Sequence, residues 1–262
     1  MAVTLLAAAI AAAMAHASPR PAPAAADSDP AIWVVSDEDT TIFLFGTFHA
    51  LDGRQAWFNR TVSSALSAAD ELVLETVVPD RGPGAHAPAG AAPAPTGSFM
   101  RATGAVIAAG RSKGLRVDQG ADTVLRRVAE ASGKPVGGLE TLEFQIDLFK
   151  RMSAGSPPSQ PRVQVQTGAD PRLGTLMSQM QDAWKRGEQG LFVVLLNRMR
   201  ATSPEAYRAM FTERNANWAG WIAQRLQEPG TVFVAVGAGH LAGRDSVQAK
   251  LAELGVKSAR IN

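Results

Sequence analysis

The chain contains no cysteine. Disulfides, thiolate metal sites, a cysteine nucleophile and cysteine-linked lipid anchors are therefore excluded, and any metal must be held by imidazole and carboxylate. Charge is sparse and nearly balanced, with 19% charged residues and a formal net charge of +2. No Lys/Arg run concentrates the positive side, so a nucleic-acid partner is not expected. There is one tyrosine, and there are only four histidines. No H-E-x-x-H or phosphate-binding Walker loop occurs. Gly237-Ala238-Gly239 begins like a dinucleotide loop, but His240 follows where that pattern heads for its third glycine.

What is present suits a globular domain. Apolar residues make up 46% of 262, enough to bury a sizeable core. Residues 1–14 are almost wholly apolar, and Ala15-His16-Ala17 gives a small-x-small cleavage pattern before Ser18. Residues 1–17 thus read as a signal peptide and residues 18–30, rich in proline and alanine, as a disordered leader. The apolar run is too short to span a bilayer comfortably, so no stable membrane insertion is expected, and the location is periplasmic or secreted.

The domain proper, 31–262, alternates apolar runs with helical patterns. Strands are predicted at 32–35, 41–45, 72–75, 135–139 and 231–236, with a short one at 115–117 and a last one near the C-terminus. Helices are predicted at 55–69, 98–112, 121–132, 142–152 and 244–254, and a helix-only stretch spans about 173–228. Residues 79–97 and 153–172 read as loops. The pattern implies an α/β fold, a mixed sheet core flanked by helices with a helical insertion.

Candidate chemistry gathers at strand ends. Gly46-Thr47-Phe48-His49 and Gly237-Ala238-Gly239-His240 each place a histidine just beyond a buried strand, where glycine lets the backbone turn tightly. In α/β sheets such ends line the crevice where ligands bind. Each histidine alone could be a cap or a core residue; as a pair they could share an ion. Glu75 and Glu140 also close apolar runs, either as ordinary solvent-facing carboxylates or as partners of that ion. Tyr207, Phe211, Trp218, Ile222 and Leu226 form an apolar stripe. Asn215 interrupts it beside Arg214, so Asn215 either caps a neighbouring element or faces the site, where it could steady a water or a developing negative charge.

These residues carry a resemblance. Gly46-Thr47-Phe48-His49, Leu72-Val73-Leu74-Glu75, Gly138-Leu139-Glu140-Thr141 with Gln145, Glu213-Arg214-Asn215 with Trp218, and Val236 through Gly243 occur in the order found in the TraB/GumN family, which includes the Tiki-like metalloproteases. The resemblance runs from about Ile32 to Ile261. It implies a core like that of erythromycin esterase and haem-binding ChaN-type proteins. It also implies that His49, His240 and Glu75 are metal-site positions, and that Glu140, Arg214 and Asn215 stand with Glu75 in the catalytic set. Of Glu75 and Glu140, one would be the general base and the other a ligand. The implied cofactor is a divalent metal ion (Mn, Co or Zn), and the implied activity is metal-dependent hydrolysis of a peptide or other small-molecule substrate. The alternatives are a non-catalytic haem- or metal-binding protein and an accessory protein of exopolysaccharide or envelope assembly. Phe48, bulkier than the aliphatic residue usual at its place, is expected to narrow the mouth of the site.

Overall fold

A computed structural model describes residues 28–78, 98–154 and 171–262. The expected signal peptide and most of the leader lie outside these residues, as do the 79–97 excursion and most of the 153–172 loop. The chain is already held at Ser28, which is buried, and the Asp29 amide donates to the Lys185 carbonyl at 2.7 Å.

Six strands form one sheet: β1 (Ile32–Ser36), β2 (Thr40–Thr47), β3 (Glu71–Thr76), β4 (Val136–Glu140), β5 (Gly230–Gly237) and β6 (Ala259–Arg260), in the order β4-β3-β5-β2-β1-β6. β4, β3, β5 and β2 are mutually parallel, whereas β1 runs antiparallel to both β2 and β6. The central strands are apolar on both faces because both faces are covered. On one face Phe45, Leu72, Leu74, Phe233 and Ala235 meet Trp57, Leu66, Leu125 and Trp184. On the other, Ile42, Leu44, Val73, Val232 and Val234 meet Trp218, Ile222 and Leu251. Each such large side chain contributes roughly 1.5–3 kcal/mol on burial, so the two-sided core fixes strand register.

The helices are α1 (Arg60–Ala68), α2 (Ser98–Arg111), α3 (Ala121–Ala131), α4 (Leu142–Ala154), α5 (Pro171–Lys185), α6 (Gly190–Thr202), α7 (Pro204–Tyr207), α8 (Glu213–Arg225) and α9 (Val247–Glu253). The mixed sheet flanked by helices is the α/β class expected from the sequence. Local boundaries differ. The predicted 55–69 helix is a 3-10 turn at Gln55–Trp57 followed by α1, because the Asn59 side chain caps α1 by accepting from the Val62 amide. The predicted strand at 115–117 amounts to one bridge, Leu51 with Arg116, and then a 3-10 turn at Val117–Gln119. The predicted helix-only stretch is interrupted by a π-helical turn at Arg208–Thr212. Among the described residues no helix is long and apolar enough to cross a membrane.

Parallel pairing has one consequence for function. It brings the C-terminal ends of β2, β3, β4 and β5 to a single edge. Thr47 pairs with Gly237, and Thr76 with Glu140. Residues far apart in sequence therefore open onto one crevice.

Candidate active site

The centre of the crevice is Arg214, on the first turn of α8 and nearly buried. Its Nε donates to Glu140 Oε1 at 2.7 Å and its Nη2 to Glu140 Oε2 at 2.8 Å. Nη2 also donates to Glu75 Oε1. The guanidinium lies over the Trp218 ring, 4.7 Å from its centroid, and Trp218 Nε1 donates to Glu140 Oε1 at 3.1 Å. Gln145 adds a further donor to Glu140 Oε2 at 3.3 Å. Glu140, at the end of β4, thus has both oxygens occupied and acts as the anchor of Arg214.

His240 lies in a 3-10 turn, Ala238–Leu241, directly after β5. Asn215 settles its protonation pattern. The Asn215 amide nitrogen faces two carbonyls, Asp245 O at 2.6 Å and His240 O at 3.4 Å, so Oδ1 must be the group that meets His240 Nδ1 at 2.6 Å. Nδ1–H donates, and Nε2 is left as an acceptor. Arg214 Nη1 approaches that nitrogen at 3.3 Å, and Glu75 Oε1 lies 3.7 Å from it. Phe211, carried inward by the π-helical turn, and Trp218 flank the ring at centroid distances of 4.8 and 4.5 Å. Burial pushes the His240 pKa down to about 3; Glu75 pulls it up, and Arg214 and His49 oppose that pull. The ring is neutral at physiological pH.

His49 stands at the mouth, with 58% of its side-chain surface exposed. Its Nδ1 meets Asp122 Oδ1 at 3.2 Å, and its Nε2 lies 3.9 Å from Glu75 Oε2. Desolvation works against the charged form, but Asp122 and then Glu75 outweigh it and raise the pKa to about 9. Glu75 itself accepts from the Gly237 amide at 3.0 Å. Burial opposes its ionisation, yet His240, Arg214 and His49 hold its carboxyl at about 2. Because His240 is neutral above pH 3, Arg214 and the charged His49 are the partners that keep Glu75 ionised near neutrality.

The expected residues therefore converge: His49, His240, Glu75, Glu140, Arg214 and Asn215 belong to one network. Their geometry refines several expectations. The nitrogen and oxygen of Asn215 are already engaged, so it positions His240 and offers no free donor. Phe48 does not narrow the mouth; it is buried, with its ring centroid 6.1 Å from that of Trp184. The glycines of the two G-x-x-H segments are needed for close approach, since Gly46, Gly237 and Gly239 are not among the glycines with positive φ. A Cβ on Gly46 would lie 3.1 Å from Ala238 Cα.

Asp122 was not found from sequence. It sits in the first turn of α3, where an acidic residue reads as an ordinary helix start. It reaches His49 because the Ala121 amide donates to the Phe48 carbonyl at 3.0 Å, and because Gly120 lets the backbones meet; a Cβ there would lie 2.5 Å from the His49 carbonyl oxygen.

A model of the TraB/PrgY/gumN family matches residues 31–95 and 94–260. The chain belongs to the TraB/PrgY/gumN family. No curated protein and no solved structure gives a match.

The donor chemistry of this family member suits a divalent cation. Two imidazoles and a carboxylate face one space, and the missing side chain of Gly237 leaves it open; a Cβ there would lie 3.2 Å from His49 Nε2, 3.4 Å from Glu75 Oε2 and 3.6 Å from His240 Cδ2. The spacing is looser than a closed metal site, and Arg214 takes part of the room. Among the described residues no group of three or more His, Asp or Glu side chains is already spaced to hold an ion.

Proposed function

We propose that the crevice is the active centre of a metal-dependent hydrolase, acting on peptide bonds in the periplasm or outside the cell. The observation that carries this reading is the pair of imidazoles whose Nδ1 atoms are taken by outer partners, Asp122 and Asn215, while both Nε2 atoms face Glu75. Outer partners of this kind fix the tautomer and aim of metal-binding histidines. His49, His240 and Glu75 would hold the ion, whether Mn, Co or Zn. When bound, it would polarise the scissile carbonyl and lower the pKa of a water toward about 7.

The remaining groups have fixed roles. Glu75 already accepts from Arg214 and from the Gly237 amide, so it serves as a standing negative charge rather than a mobile base. Glu140 holds the guanidinium, and Trp218 and Gln145 hold Glu140. Arg214 is thereby a preorganised positive charge beside the reacting region, suited to negative charge that develops on a carbonyl oxygen. The apolar start of the chain and its small-x-small motif support export.

A second reading is favoured by one contact. Arg214 engages His240 Nε2 and Glu75 Oε1 at once, a closed arrangement that occupies atoms a reacting centre would need and so speaks against turnover. The protein would then be a non-catalytic haem- or metal-binding protein, or an accessory of envelope or exopolysaccharide assembly. Calorimetric titration with Mn, Co and Zn, together with peptide-library turnover in the presence and absence of chelator, separates the two. Chelator-sensitive turnover that is lost in His49→Ala and His240→Ala supports the hydrolase. Ion binding without turnover supports the non-catalytic binder, and neither ion binding nor turnover sinks both hydrolase and binder and leaves the assembly accessory.

A further inference from the structure

A second concavity adjoins the crevice. It is an open concavity of about 910 Å³ between the end of β3, the turn after α2 and the start of α3. That size lies within the roughly 300–1,000 Å³ of small-ligand pockets. Its charge is one-sided. Arg111, Arg116, Arg126 and Arg127 line it, against Asp118 and Asp122. Both aspartates are engaged: Asp118 receives Arg116 Nε at 3.0 Å and Nη2 at 2.5 Å, and Asp122 holds His49. Arg126 is buried, donates to the Val78 carbonyl at 2.5 Å and lies 3.7 Å from Glu130. Arg127 donates to the Asp118 carbonyl at 3.1 Å, and neither it nor Arg111 forms an ion pair with a carboxylate among the described residues. Two guanidinium charges are thus left facing an open space.

The same walls carry apolar surface. Val78 is 55% and Val117 45% exposed, and Leu74 and Leu115 lie behind them. Thr76, on the same wall, has a buried hydroxyl with no hydrogen-bond partner. Apolar walls beside unpaired guanidiniums match a ligand with an apolar stem and an anionic end. The planar fork of arginine favours carboxylate, which it binds through two parallel hydrogen bonds. Position completes the match. Asp122 borders the cavity and also holds His49, so a ligand anchored here reaches the mouth of the crevice.

We propose that this cavity is the subsite for a substrate carboxylate and that the crevice acts on acidic peptides, an inference that rests on the crevice being the active centre. The carboxylate can belong to a side chain or to the peptide's own C-terminus, and the two sources can be told apart. Calorimetry on the full protein would compare three N-acetylated pentapeptides: one amidated and carrying Glu, its amidated Gln counterpart, and the Gln peptide with a free C-terminal carboxyl. The Glu peptide or the free acid should bind about tenfold or more tighter than the Gln amide, and whichever gains identifies the source. The preference should shrink with added salt. The double variant Arg111→Gln/Arg127→Gln should abolish it, with circular dichroism and thermal melting confirming the fold. Both residues are exposed, so folding should survive; if it does not, the Glu/Gln comparison on the parent protein still decides. Equal or undetectable affinity for all three peptides overturns the proposal, as does a preference that persists in the folded double variant. Failure of the metal reading is distinguishable, because it appears as an absence of Mn, Co or Zn binding while the peptide preference remains.

Discussion

The two G-x-x-H segments share a spacing and a strand-end position, yet they build opposite chemistry. His240 is walled in by Phe211 and Trp218, tied to Asn215 and pushed down to about 3. His49 stands at the mouth, tied to Asp122 and raised to about 9. Part of the difference is register. Gly46 pairs with Val236 and Thr47 with Gly237, so the two motifs are offset by one residue across the sheet. His240 then turns back under α8 through a 3-10 turn, while His49 runs out over α3. Repeated sequence gives repeated placement, but the neighbouring helices decide protonation.

The largest test of this contrast removes the charge shared by the buried half. Arg214→Met would leave Glu75 and Glu140 as facing carboxylates without their common partner. Breaking a buried pair on one side typically costs about 3–5 kcal/mol, and a loss of that order is expected in chemical denaturation. A loss below about 1 kcal/mol would mean that the network does not hold the strand ends together.

Next in size is the acid limb of stability in chelator-treated protein. Glu75 and His240 both have depressed folded values, about 2 and about 3. For such groups, stability is present above the unfolded pKa and is lost as pH falls through the folded one. Stability should therefore drop from about pH 6.5 toward 3 as unfolding lets His240 charge, and further below about 4.5 as Glu75 protonates, with a slope of at most about 1.4 kcal/mol per pH unit for each proton. His49 has the opposite sign. Its raised value contributes stability that is fully present below about pH 6.5 and is lost as pH rises through 9. Denaturation midpoints across this range would check the sign, and His240→Gln should flatten the acid limb between about pH 6.5 and 4.5 while sparing the alkaline one.

A smaller effect is expected from Asn215→Ala. It strips His240 Nδ1 of its acceptor and leaves the Asp245 carbonyl without its donor, a loss of about 1–3 kcal/mol. The sharper readout is nitrogen NMR, in which the fixed Nδ1–H tautomer should give way to a mixture. A tautomer unchanged in the variant would show that something other than Asn215 sets it.

The smallest effect on stability falls on the exposed half. Asp122→Asn should cost under about 1 kcal/mol, because the pair is solvent-screened. Proton NMR should nonetheless show the His49 pKa falling below about 9, by less than a unit if the stability cost is that small. If it does not fall, Glu75 rather than Asp122 is the dominant partner.

The sequence by itself determined the α/β class and the main central strands, because unbroken apolar runs such as Ile42–Phe45 and Val232–Val236 have no stable place except in a sheet covered on both faces. It also marked His49, His240, Glu75, Glu140, Arg214 and Asn215, since polar groups at the ends of buried strands or inside an apolar stripe require partners. Tertiary structure alone decided who those partners are. Asp122 looks like any helix-start acid until the Ala121–Phe48 hydrogen bond and the bare Gly120 backbone bring it to His49. Glu140 and Asn215 stand open between a structural and a catalytic role until packing assigns them to Arg214 and His240. Local pattern records whether a side chain must be buried. Which charge it meets there depends on parallel strands aligning ends far apart in sequence, and that alignment is set by the whole sheet.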